Sequence, residues 1–181
     1  MGIPLQHRRG VLRARGAAVV VGAACALLAG LAPAAAQEPV VIDRILSRPN
    51  GEILTQSDVW QAIELRLLPP GSRTPDAALR GLENRRLVLA EVNRLPVVEP
   101  DPSAVAARRA EWTTELIAAG APPPALMARF GMTDDALQAW FRNDLRIADY
   151  LDERFAATPE AEREAAVEEW IVFLRERAGM R

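Results

Sequence analysis

Proline and cap residues cut this chain into short segments, and that punctuation constrains the fold more than any other feature. Pro69-Pro70-Gly71, Pro96-Val97-Val98-Glu99-Pro100 and Gly120-Ala121-Pro122-Pro123-Pro124 each stop a periodic apolar pattern, because proline lacks the backbone donor and restricts the residue before it. Each stop is answered by a restart. Thr74-Pro75-Asp76 supplies a cap, a proline at the first helical position and a first-turn acid. Asp101-Pro102, Thr133-Asp134-Asp135 and Thr158-Pro159-Glu160 do the same further on. The segments between them read as helices. Thr55 or Ser57 caps the first, whose apolar face is Val59, Trp60, Ile63 and Leu67. The second runs to about Leu95 on Leu79, Leu82, Leu89 and Val92, with Arg80, Glu83, Arg85, Arg86 and Glu91 as its solvated side.

The third helix carries Val105, Trp112 and Leu116, and Ala125 to Phe130 forms a short piece closed by Gly131. The longest amphipath places Leu137, Trp140, Phe141, Leu145, Ala148, Leu151 and Phe155 on one stripe. A last helix uses Val167, Trp170, Ile171, Leu174 and Ala178, and Gly179 ends it. Ahead of all these, Val40–Leu46 reads as a β-branched strand, Pro49-Asn50-Gly51-Glu52 as a hairpin turn and Ile53-Leu54 as the returning strand. So small a hairpin must dock on helices. The expectation is a mostly α domain of five or six helices with a small N-terminal hairpin.

Residues 1–36 read as a secretory signal: Arg8, Arg9, Arg13 and Arg15, then an apolar run from Gly16 to Leu31, then Ala34-Ala35-Ala36. The run is shorter and weaker than the roughly 20 apolar residues of a membrane span. Gly22-Ala23-Ala24 before Cys25 makes a poor lipoprotein signal, and Arg8-Arg9 leaves the export route open between the general and twin-arginine pathways. Cleavage near Ala36 places the domain, residues 37–181, in the periplasm or otherwise outside the cytoplasm, with no stable membrane span.

Cleavage also removes the sole cysteine, Cys25, and the sole histidine, His7. The remaining 145 residues have no thiol, imidazole or lysine. That excludes thiol redox chemistry, histidine acid–base catalysis and the usual zinc sites, so no metal and no cofactor are expected. Without disulfides the domain must hold by packing. Residues 37–181 carry 18 arginines against 24 carboxylates, a formal charge of −6, which argues against nucleic acid as a partner. The carboxylate pairs Asp134-Asp135, Asp149/Asp152-Glu153 and Glu168-Glu169 stand at caps or on charged helix faces. None has the two unlike environments that acid–base catalysis needs. Ser47, Ser57, Ser72 and Ser103 lie in turns or caps. No catalytic residue is assigned.

Read in order, Val41–Ile45 with Pro49–Val59, the helix Leu79–Glu91, and the block from Phe130 to Leu151 resemble the N-terminal chaperone domain of SurA-like periplasmic foldases. Ala165–Ala178 resembles that family's returning helix, which implies that the C-terminal helix packs back on the N-terminal half. Only Ala156–Glu164 separates it from the preceding helix, whereas in the family one or two parvulin isomerase domains usually stand between. Prolyl isomerase activity is therefore not carried over. What the resemblance implies is a non-catalytic chaperone-like domain that binds unfolded or partly folded exported proteins through their apolar and aromatic segments, in outer-membrane protein folding. The alternative is a structural or assembly subunit docking on one fixed envelope partner. The four tryptophans (Trp60, Trp112, Trp140, Trp170) sit on apolar faces, where core packing is the ordinary role. The candidate peptide contacts are Leu126, Met127, Phe130 and Met132, which follow the triple proline, together with Trp112. Core packing is the competing reading for them as well. The linkers at 69–74 and 96–101 would allow a homo-oligomer by segment swapping.

Overall fold

The computed structural model describes residues 43–96 and 98–180. The signal reading of residues 1–36, with Cys25 and His7, lies outside them, as do Val40–Ile42 of the expected first strand. The described residues form one compact unit. Strand β1, Ile45–Ser47, pairs antiparallel with β2, Leu54–Thr55, in the register Ile45↔Thr55 and Ser47↔Leu54. The link between them is a 3-10 turn, Pro49–Gly51, in which Asn50 (φ 51) and Gly51 (φ 82) take the left-handed conformations that the Asn-Gly pair tolerates.

Six helices follow: α1 Gln56–Glu64, α2 Pro75–Val92, α3 Pro102–Ala118, α4 Pro123–Phe130, α5 Asp134–Arg154 and α6 Glu160–Arg177. Thr55 starts α1 with a full capping box: it accepts from the Asp58 amide at 3.2 Å, and Asp58 accepts from the Thr55 amide at 2.8 Å. Thr74, Asp101 and Thr133 cap α2, α3 and α5 through side-chain oxygens. Gly131 closes α4 in the left-handed conformation. Several expected bounds move: the returning strand is Leu54–Thr55 rather than Ile53-Leu54, and α1 stops at Glu64, before the Leu67 read onto its face. Helix α2 stops at Val92 rather than near Leu95, and α4 starts at Pro123 rather than Ala125. Helix α6 has Pro159 at its N-cap with no side-chain cap, so Thr158 stands one residue too early to serve.

Apolar side chains gather in three clusters. The first joins Leu65, Leu67, Val105, Trp112, Leu116, Leu137 and Phe141; the second puts the hairpin's Leu54 against Val59, Ala62, Ala78 and Leu82. The third brings Trp170 and Leu174 of α6 onto Leu87, Val88 and Val92 of α2. The C-terminal helix thus packs on the N-terminal half.

Two expectations about faces fail. Trp60, read as part of the apolar side of α1, is 43% exposed, because Val59 and Ala62 turn inward instead. Helix α2 has no single solvated side: it packs on α1, α5 and α6. Glu83 is 6% exposed and receives Arg175 of α6 at 2.9 Å, and Arg85 is largely buried against α5. Among the described residues, no helix is long and apolar enough to cross a membrane, and no group of three or more His, Cys, Asp or Glu side chains is placed to hold a metal ion.

Candidate functional site

Among the described residues, a groove of about 980 Å³ opens between the turn after α1, helices α2, α3 and α5, and one edge of α6. Its size is at the upper end of ordinary ligand clefts. Its apolar lining comes from Leu68, Val88, Leu145, Ile147, Leu151 and Ile171. The turn is ordered: Pro70–Ser72 is a 3-10 segment in which the Ser72 amide donates to the Pro69 carbonyl at 2.9 Å. Gly81 of α2 lets this turn approach, since a Cβ there would meet a Leu68 methyl at 3.2 Å and the Ser72 hydroxyl at 3.4 Å.

The groove's charged floor belongs to two helices. Arg85 of α2 pairs with Asp144 of α5, donates to the Trp140 carbonyl at 3.0 Å, and lies 3.8 Å above the Trp140 ring. Burial dominates the electrostatics of both partners. It pushes the Asp144 carboxyl above its ordinary value, against the opposing pull of the Arg85 and Arg108 guanidiniums. It pushes the Arg85 guanidinium down, against the pull of Asp144. A desolvated pair of this kind adds little net stability over an apolar pair of similar size, but it fixes the register of two helices. Four arginines line the groove (Arg66, Arg73, Arg85, Arg108) against two carboxylates, Glu115 and Asp144.

The residues singled out from sequence lie elsewhere. Trp112 is 1% exposed, donates its indole N–H to the Leu65 carbonyl at 2.6 Å, and meets the Phe141 ring edge-on with centroids 5.8 Å apart. It is core and presents no surface for a peptide, a correction that follows from its place on the inner face of α3. Leu126, Met127, Phe130 and Met132 are half-buried and pack against that same first cluster, and none of them lines the groove.

The groove's charged pair, Arg85 and Asp144, was missed by sequence reasoning but had left a signal in two helical stripes. Ala78, Leu82, Arg85 and Leu89 follow helical stripe spacing, as do Leu137, Phe141, Asp144, Ala148 and Leu151. An arginine on one apolar stripe and an aspartate on another mark complementary buried charges. Two members of the carboxylate pairs are in ion pairs: Asp134 with Arg109 across α3 and α5, and Asp152 with Arg163 at 2.7 Å.

No protein family, no curated protein and no solved structure matches this chain.

Proposed function

We propose that this protein is a non-catalytic, chaperone-like domain of the periplasm that holds unfolded apolar and aromatic polypeptide segments during outer-membrane protein folding. The observation that carries the reading is the open groove between α2, α3 and α5, large enough for several side chains and lined mainly by aliphatic groups. Support also comes from the resemblance of residues 41–59, 79–91, 130–151 and 165–178 to SurA-like chaperone domains, and from the export character of residues 1–36. Binding draws on client apolar burial at about 25 cal/mol per Å². Ordering of the client opposes it, so affinity is modest and sequence selectivity broad.

A holdase assay tests the reading. Residues 37–181 should suppress aggregation of an unfolded β-barrel protein. Ala148→Trp, which fills the groove from an exposed position on α5, should abolish suppression while leaving the fold intact. Failure of the parent protein, or full activity in Ala148→Trp, contradicts it.

One observation favours the second reading, a subunit docking on a single envelope partner: Val172 and Phe173 stand adjacent on α6, each 54% exposed. Capture from a periplasmic extract separates the two, since a client binder returns many outer-membrane precursors and a docking subunit returns one protein.

A further inference from the structure

The groove is charged in the opposite sense to the domain around it. Residues 37–181 carry a formal charge of −6, yet the groove lining has an excess of two positive charges, all from arginine. Two of the four arginines are already engaged with carboxylates: Arg85 with Asp144, and Arg108 with Glu111 at 3.5 Å. Arg66 and Arg73 have no ion-pair partner among the described residues. They flank the Leu67–Ser72 turn that forms one wall.

Arg66 is also held in an unusual place. It follows the last turn of α1 at φ +48, in the left-handed region. The Leu67 amide donates back to the Ala62 carbonyl at 3.0 Å and the Arg66 amide to the Ile63 carbonyl at 3.1 Å. This is the helix stop in which glycine is the usual residue, because any side chain there is strained. The only other described residue besides glycine with positive φ is Asn50, a type that tolerates it. A left-handed arginine on the wall of an apolar groove is a backbone outlier that points to a role for its side chain there.

We propose that the groove selects unfolded segments in which an acidic side chain flanks the apolar run, with Arg66 and Arg73 binding that carboxylate while the aliphatic lining takes the apolar residues. The proposal rests on the peptide-binding reading above and names the chemistry of its client. Guanidinium suits the task, since it binds carboxylate through two parallel hydrogen bonds and stays charged in a partly dry site. The acidic remainder of the surface repels acidic clients elsewhere, which confines them to this wall.

Fluorescence anisotropy with three labelled peptides tests it. They share one apolar-aromatic run and differ only in a flanking Glu, Gln or Lys. The Glu peptide should bind about tenfold tighter than the Gln peptide at low salt, and the Lys peptide weakest. The advantage should shrink as ionic strength rises. Arg66→Gly should erase most of the Glu preference while raising Tm by about 4 °C, because it relieves the left-handed backbone. A purely structural arginine would not give a more stable protein with altered selectivity. Arg73→Gln, on the exposed side of the turn, should reduce the preference with no change in Tm. Equal binding of the three peptides, or an undiminished Glu preference in Arg66→Gly, overturns the proposal and leaves the peptide-binding reading standing. Absence of binding by all three removes both.

Discussion

The first core cluster and the groove are both apolar, both border α3 and α5, and both touch the end of α1, yet they are finished differently. Around Trp112 every face is closed. The one polar atom of that side chain is satisfied by a neutral backbone carbonyl, and Leu65, Leu116 and Leu137 are fully buried. In the groove the apolar surface is left open, and charged side chains stand among its lining. Asp144 meets Arg85 across 59 residues of sequence. Neutral, fully enclosed burial gives rigidity; a charged floor under an open apolar surface gives register and leaves area for a partner.

That contrast can be broken at several points. The largest effect belongs to the closed region: Trp112→Ala should cost about 4 kcal/mol in chemical denaturation, because it empties a fully packed site and orphans the Leu65 carbonyl. Next comes the tie between α2 and α6. Arg175→Leu leaves Glu83 buried without a cation and should cost about 3 kcal/mol, while Glu83→Leu with Arg175→Leu should recover most of that loss. A single loss with no recovery in the pair would show that packing, not charge, holds α6. Thr55→Ala removes the capping box of α1 and should cost about 1 kcal/mol. Trp60→Ala, although it deletes the same side chain as Trp112→Ala, should change stability by less than about 0.5 kcal/mol, the usual value for exposed positions.

The smallest effect is on pH dependence. Burial raises the Asp144 carboxyl above 3.8, so the folded chain holds that proton more tightly than the unfolded chain. The stability this contributes is fully present below pH 3.8 and is lost as pH climbs through the folded value. Stability measured from pH 4 to 7 should therefore decline less in Asp144→Asn than in the parent. An equal or steeper decline in the variant contradicts the assigned direction.

Much of the architecture could be read before any coordinates. The caps at Thr55, Thr74, Asp101 and Thr133 and the stop at Gly131 all follow from local chemistry and periodicity. The groove did not. Its position depends on which faces of α2 meet α5 and α6, and α2 looks like an ordinary surface helix when its charges are read without their partners. Glu83 finds Arg175 92 residues away, a pairing that no local window contains. Trp60 and Trp112 show the same limit: both fall on apolar-looking stripes, and only tertiary packing decides that one is core and the other faces water. The short helix α4 followed a triple proline and looked too small to bury its Leu and Met side chains. It half-buries them by lying across the Trp112 cluster.

Hydrogen exchange read by mass spectrometry, with and without a saturating apolar-aromatic peptide, puts the central claim to its most direct test. Binding in the groove should protect amides in 66–73 and along 144–151 of α5, and leave 123–132 and the outer face of α6 unchanged. Protection confined to 123–132 or to the stretch around Val172 and Phe173, with 66–73 unaffected, would contradict it.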